Sequence, residues 1–224
     1  MVSIVIPTYN ERANIRKLVL KIFSSCKKLD SLEVIIVDDN SPDKTAETAR
    51  RLSSGYNVKV FVRKNEKDLS TAVMYGIKKS KSDFVVVMDG DFSHPPEKIP
   101  EMIEKLEKGC DIVIGARKKV ESWPWHRRLL SGIATLLAKP LTRTSDPMSG
   151  FFALNKRVLN NKKIAARGYK ILLEILAKCN PEKTCEVSYI FKNRSCGESK
   201  LRAKHIIQYL AQLARLYFLR ILSK

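Results

Sequence analysis

The sequence predicts an α/β fold with a mixed, mostly parallel sheet flanked by helices, and three observations carry that expectation. Short apolar runs rich in β-branched residues recur through the first half of the chain. Stretches with helical spacing separate them. Acidic and polar turn residues, rather than glycine-rich loops, follow several of the runs. Runs that are apolar at every position suit strands buried on both faces, and alternation with helices suits parallel connection.

The elements follow in order. Val2–Ile6 reads as a first strand and enters Pro7-Thr8-Tyr9-Asn10-Glu11. Ile15, Leu18, Val19, Ile22 and Phe23 then recur as the apolar face of a helix. Glu33–Val37 is a second strand and enters Asp38-Asp39-Asn40-Ser41-Pro42-Asp43; Val58–Val62 is a third. Phe84–Met88 is a fourth and ends in Asp89-Gly90-Asp91-Phe92-Ser93-His94-Pro95-Pro96; Ile112–Ile114 is a fifth. Open parallel sheets bind ligands outside the carboxyl ends of their strands, so these three clusters mark the candidate site. Farther on, Trp123-Pro124-Trp125 and His126-Arg127-Arg128 lead into an apolar stretch, Leu129 to Leu141. Helix and strand candidates extend to about Phe191, and from about His205 the pattern is an amphipathic helix to the end. The expected organisation is a domain over 1–204, with halves at 1–117 and 118–204, and a C-terminal amphipathic helix over 205–224.

Composition narrows the function. The 224 residues are 44% hydrophobic, enough for a core, which excludes intrinsic disorder. Residues 1–114 hold 19 basic and 17 acidic side chains, whereas 115–224 hold 23 and 6. The second half therefore expects an anionic partner. No helix-turn-helix, zinc-finger or aromatic RNA-binding pattern supports nucleic acid as that partner. Neither the dinucleotide nor the P-loop glycine fingerprint is present. Five cysteines without CxxC or metal-finger spacing read as reduced thiols in a cytosolic compartment. The N-terminus is too short in apolar length for a signal sequence, and no apolar run approaches the roughly 20 residues that span a bilayer.

Chemistry concentrates at Asp89-Gly90-Asp91. Residues i and i+2 of an extended segment face one side, so both carboxylates address one cation, and hard oxygen ligands suit Mg²⁺ or Mn²⁺. Glycine between them lets backbone approach a ligand closely. A bare DxD recurs by chance; behind a buried strand, beside two other polar clusters, it gains weight. After the second strand, Asp38 or Asn40 is expected to serve the turn and Asp39 the ligand. Arg194 and Lys200 flank Ser-Cys-Gly-Glu-Ser and suit clamping of phosphates, the arginine through paired hydrogen bonds and the lysine as a point charge. Arg117, just past the fifth strand, and Arg127 are candidates for a second anion site. Arg127, Arg128, Lys139 and Arg143 flank the 129–141 stretch with Trp123 and Trp125 nearby, a pattern that suits a helix lying in a membrane interface.

Six segments together resemble the family 2 glycosyltransferases, in the branch of the dolichol-phosphate mannose synthases. They are IPTYNE at 6–11, VDDNSPD at 37–43, MDGDFSHPPE at 88–97, GAR at 115–117, SDPMSGFF at 145–152 and GESKL at 197–201. The resemblance covers nearly the whole chain in order. It implies a GT-A fold, Mg²⁺ or Mn²⁺, and inverting transfer of mannose from GDP-mannose to a polyprenyl (dolichyl) phosphate. By the same resemblance, Pro7, Tyr9, Glu11, Val37 and Asp39 hold the guanosine part of the donor. Asp89, Asp91 and Ser93 lie at the metal, and Gly90 lies near the donor. Arg117, Arg127 and Ser131 meet the acceptor phosphate, with Arg117 also at the donor sugar. Arg194 and Lys200 close over the diphosphate, so that Asp91, Arg117, Arg194 and Lys200 carry catalysis. Gly90 and Ser93 depart from the alanine and glutamine that many relatives carry, and Asp68 stands where relatives usually have glycine. Relatives with transmembrane helices continue past Lys224; this chain is expected at the cytoplasmic face of a membrane, peripheral, or held there by an anchoring subunit. Two alternatives stay open: glucose transfer from UDP-glucose to a polyprenyl phosphate, and a non-catalytic module that binds anions or membranes.

Overall fold

The computed structural model describes residues 1–120, 125–142, 144–160, 162, 164, 170–191 and 203–222, the side chains of 119, 120, 125–131, 203–206 and 222 set aside. Seven strands form one sheet: β1 (Val2–Thr8), β2 (Leu32–Asp38), β3 (Val58–Val62), β4 (Phe84–Val87), β5 (Ile112–Val120), β6 (Phe152–Asn155) and β7 (Thr184–Phe191). Their order is β3-β2-β1-β4-β6-β5-β7. β6 runs antiparallel to both β4 and β5, and the other pairings are parallel. The expected mostly parallel sheet is therefore mixed at one strand. Strand order reverses between β1 and β4, which puts the topological switch point beside the segments after those two strands.

Period-two alternation divides the strand side chains between two cores. Ile4, Ile6, Val34, Ile36, Val86 and Met88 face one layer. There they meet Ile15, Leu18 and Ile22 of α1 (Arg12–Ser25) and Ile99, Met102 and Ile103 of α4 (Ile99–Glu107). Val5, Ile35, Val37, Val85 and Val87 face the other layer, against α3 (Leu69–Lys79) and α6 (Ile171–Cys179). Burying each large aliphatic side chain contributes roughly 2 kcal/mol, which is why runs apolar at every position commit to interior strands. A short helix, α2 (Thr45–Arg50), follows β2.

A third, smaller core lies under two later helices, α5 (Trp125–Ala138) and α7 (Ala203–Leu222). Ala138, Leu141, Met148, Leu173, Tyr209, Leu213 and Leu216 fill it. Polar contacts fix α7 in place: the Tyr209 hydroxyl donates to the Ala134 carbonyl (2.5 Å) and the Tyr217 hydroxyl to the Leu137 carbonyl (2.7 Å). Glu174 of α6 is fully buried yet accepts from Gln212 and pairs with Arg215 of α7 and with Lys178. The inner face of the terminal helix is thus part of the body of the protein. Ile207, Leu210, Phe218, Leu219 and Ile221 lie on its exposed side.

Two sequence expectations need correction. Cys110 and Cys185 form a disulfide, their Cα atoms 6.1 Å apart although 75 residues separate them. Spacing rules read local patterns, whereas the β5–β7 pairing brings these two together; Cys26 and Cys179 are free thiols, and Cys196 lies outside the described residues. The fifth strand extends to Val120, so Arg117 lies inside β5 rather than past it. The register between β5 and β7 is irregular between Arg117 and Lys119.

Candidate active site

The segments after β1 and β2 are tied together by side chains suited to capping turns. The Asp38 carboxylate accepts from the Thr8 hydroxyl (2.9 Å) and from the Ser41 backbone N–H (2.8 Å) and hydroxyl (2.5 Å). Asp43 accepts from the Arg12 N–H (3.0 Å) and from Thr45, whose hydroxyl oxygen in turn accepts from the Glu11 N–H (2.9 Å). Asp38 therefore serves the turn, as one of the two candidates for that part. Non-glycine residues in the left-handed region stand in the segments that follow three strands: Asn10 (φ 58°), Asn40 (φ 53°) and Phe92 (φ 65°). Asparagine tolerates that conformation, but phenylalanine seldom does, and strain of this kind concentrates at functional sites.

Asp39 is buried and faces a buried arginine that motif reading passed over. Arg63 Nε donates to Asp39 Oδ1 (2.7 Å), and the Asp68 backbone N–H donates to Oδ2 (3.0 Å). The same guanidinium donates to Glu66 (2.7 Å), to the Thr71 hydroxyl (2.7 Å) and to the Asp68 carbonyl (2.8 Å). Burial pushes the Asp39 carboxyl above its ordinary range, against the opposing pull of Arg63. Asp68, unexpected by motif, caps α3 by accepting from the Thr71 N–H (3.0 Å). The signal for Arg63 was present in the sequence: it stands directly after β3, where the strand-end rule applies equally.

At the switch point, Pro7 and Val37 are buried in strands and pair in register across β1 and β2. Tyr9 is half-buried under the Lys67 ammonium, which sits 3.5 Å from its ring centroid. The Glu11 carboxylate accepts from Asn14 (2.9 Å) at the start of α1. A Cβ on Gly90 would stand 3.3 Å from Glu11 Cγ and 3.4 Å from Thr8 Cγ2, so the acidic turn after β4 lies against the segment after β1. Asp91 and Ser93 are buried, and the Ser93 N–H donates to Asp91 Oδ1 (3.0 Å). The Asp89 side chain is about one-third exposed (34%), which leaves it accessible to a ligand. Among the described residues no three His, Cys, Asp or Glu side chains converge on one point. Asp89 and Asp91 fit a hard cation that takes its remaining ligands from phosphate and water.

The β5–β7 half contributes the other wall. Arg117 Nε and Nη2 both donate to Asp146, at 2.6 and 2.7 Å, in a largely buried two-point pair. Its guanidinium carbon lies 5.8 Å from the centroid of the Phe191 ring. Asp146 is a second residue to which sequence reasoning gave no role, although it sits in the SDPMSGFF segment. His94 is buried between the Asp89 turn and Phe151. Arg194 and Lys200 lie outside the described residues, as do the side chains of Arg127 and Ser131, which fall within α5. Trp123 and Arg143 likewise lie outside them, with the side chains of Trp125 and Arg128.

The family model described as glycosyl transferase family 2 matches residues 3–175. A dolichol-phosphate mannosyltransferase of Pyrococcus furiosus is 47% identical over 223 residues, covering 96% of this chain and 63% of the relative. The dolichol-phosphate mannosyltransferase of Saccharomyces cerevisiae is 42% identical over 231 residues, covering 96% of this chain and 86% of the relative. This chain thus spans less than two-thirds of the archaeal relative and most of the yeast one. Among solved structures, glucosyl-3-phosphoglycerate synthase from Mycobacterium tuberculosis, in complex with Mn²⁺, UDP-glucose and phosphoglyceric acid, superposes with a TM-score of 0.73. It is 19% identical, with 98% of this chain and 79% of that chain covered. Mannosyl-3-phosphoglycerate synthase from Rubrobacter xylanophilus gives a TM-score of 0.73 at 16% identity, covering 100% of this chain and 75% of that one. At such identities the structures establish the fold, a GT-A-like arrangement.

Proposed function

The chain belongs to glycosyl transferase family 2, and on that premise we propose that it transfers mannose from GDP-mannose, with inversion, to a polyprenyl (dolichyl) phosphate. The observation that carries the reading is the meeting of the segments after β1, β2 and β4 at the switch point, where Gly90 of the Asp89-Gly90-Asp91 turn lies against Thr8 and Glu11. The 41–47% identity to proteins named dolichol-phosphate mannosyltransferases supports the choice of sugar and acceptor.

In this reading Pro7, Tyr9, Glu11, Val37 and Asp39 hold the guanosine part, with Arg63 fixing Asp39. Asp89 and Asp91 hold a divalent cation, Mg²⁺ or Mn²⁺, with Ser93 on the same turn. When bound, the cation supplies neutralisation of the leaving diphosphate's charge. An acceptor phosphate oxygen attacks the anomeric carbon as the bond to the diphosphate breaks. That oxygen is ionised at neutral pH, so no side chain need remove a proton. Catalysis rests on orientation and on positive charge placed where negative charge develops. Arg117, held in direction by Asp146, faces the acceptor phosphate with Arg127 and Ser131; Arg194 and Lys200 close over the diphosphate. The acidic switch point and the basic second half divide the donor and acceptor tasks between them.

Among the described residues no helix is long and apolar enough to cross a membrane. Ile133, Leu136 and Leu137 of α5 and Ile207, Phe218 and Ile221 of α7 are all exposed, and the two helices adjoin. We assign this face to the surface of a membrane, where the isoprenoid tail of the acceptor resides. The enzyme is then peripheral at that surface.

The test is transfer of labelled sugar to a short-chain polyprenyl phosphate from GDP-mannose or UDP-glucose, with Mn²⁺, Mg²⁺ or EDTA. The expected result is lipid-linked product from GDP-mannose that EDTA abolishes. Asp91→Ala is expected to remove the product while circular dichroism stays native. Product from UDP-glucose alone would replace the donor assignment. Donor binding without product from the wild type would point to a required anchoring subunit.

A further inference from the structure

We propose that His94 is a positioning residue for Asp89, its Nδ1 lone pair fixing the backbone from which that carboxylate projects. The inference rests on the reading that Asp89 and Asp91 hold a divalent cation. The β4 ladder ends one residue earlier, where the Met88 N–H donates to the Val5 carbonyl (3.2 Å). At Asp89 the chain leaves the sheet, and its N–H donates to His94 Nδ1 (3.0 Å). An imidazole nitrogen that accepts carries no proton, so His94 holds its proton on Nε2.

The ring has little freedom. Its exposure is 2%, and it stacks on Phe151 with centroids 5.2 Å apart and planes 11° apart. Tyr189 and Phe191 meet it edge-on at 6.0 and 6.3 Å. Gly150 makes the fit possible: a Cβ there would stand 3.3 Å from His94 Cε1 and 3.5 Å from Asp89 Oδ2. Packing alone accounts for an aromatic ring at this place, and phenylalanine would satisfy it. What phenylalanine lacks is the acceptor, so the hydrogen bond from the Asp89 N–H to Nδ1 is lost. His94 thereby couples the turn after β4 to the wall built by Phe151 and β7, joining two motifs more than 50 residues apart in sequence.

The test compares wild type, His94→Phe and His94→Asn by electron paramagnetic resonance of free Mn²⁺, with and without GDP. Asparagine places its carbonyl oxygen where Nδ1 stands, whereas phenylalanine keeps the stack and removes the acceptor. His94→Phe is expected to bind Mn²⁺ about tenfold more weakly, on the order of one lost buried hydrogen bond, and His94→Asn to stay within about threefold of wild type. Unchanged binding by His94→Phe, or equal loss in both variants, would overturn the inference while leaving the cation reading intact. A wild type that binds no Mn²⁺ would remove both. If His94→Phe fails to fold, imidazole ¹⁵N resonance on the wild type decides the matter, since the chain has only three histidines. An unprotonated Nδ1 whose signal moves on adding Mg²⁺ supports the role, and a protonated Nδ1, or a signal indifferent to Mg²⁺, refutes it.

Discussion

Substituting methionine for Arg63 keeps an unbranched apolar stem of similar reach while removing the guanidinium that faces Asp39. In the wild type that group makes donations to four separate partners, and the pair with Asp39 is almost wholly inside the protein, with side-chain exposures of 6% and 7%. The Glu66 arm is mostly exposed and contributes at most a few tenths of a kcal/mol. The Asp39 arm is different, because deleting one member strands a charge in a poorly solvated place, at about 3–5 kcal/mol. For a chain of this size, a loss of about 3 kcal/mol lowers the melting temperature by about 6–12 °C. Protonation gives the sign of the pH dependence. The Asp39 carboxyl is already raised above its unfolded value, so the folded state binds that proton more tightly and loses stability as pH rises through the raised value. Removing Arg63 raises it further. The deficit of Arg63→Met is therefore largest near pH 7.5 and shrinks as pH is lowered toward 5. Urea unfolding of both proteins across that range, with donor binding measured in parallel, checks the reasoning. A deficit under about 0.5 kcal/mol, or one indifferent to pH, would refute the account of Asp39 as a buried charge held by Arg63.

Three further outcomes are expected. Replacing Cys110 and Cys185 by serine opens a loop of 75 residues, for which chain entropy predicts a loss of about 4 kcal/mol; dithiothreitol should reproduce that loss in the wild type and do nothing to the double variant. Phe218→Ser with Ile221→Ser should weaken sedimentation with phospholipid vesicles several-fold while leaving transfer to a short-chain acceptor in detergent within twofold; unchanged sedimentation would discard the membrane assignment of α7. Asp146→Asn should raise the acceptor KM about tenfold with donor affinity within twofold, since Arg117 loses its two-point partner. An effect on the donor alone would place Arg117 on the other substrate.

The parallel strands were legible because each is an apolar run with no polar alternation, and a segment buried on both faces declares itself without reference to its neighbours. Val58–Val62 was read to the residue, and the first, second and fourth strands to within a residue or two. β6 was not singled out: Phe152–Asn155 is four residues long, includes alanine and asparagine, and becomes a strand only because β4 and β5 flank it. The acidic turns were legible for a different reason, namely that turn chemistry and ligand chemistry draw on the same residues at strand ends. What stayed hidden was pairing across distance. Asp39 with Arg63, Arg117 with Asp146 and Cys110 with Cys185 are each fixed by the register of strands and loops rather than by spacing along the chain.

The late position of β6 has a consequence for how the chain matures. As synthesis proceeds, β1 to β4 and their helices are complete once residue 107 has emerged, and these four strands pair among themselves. One margin of β4 nevertheless stays open until residues 152–155 arrive to pair with it. An apolar strand with an open margin invites pairing between nascent chains. A product arrested near residue 120 is therefore expected to aggregate rather than persist as a small folded domain. Phe151 arrives in the same late interval, so the surroundings of the acidic turn close only when the sheet does.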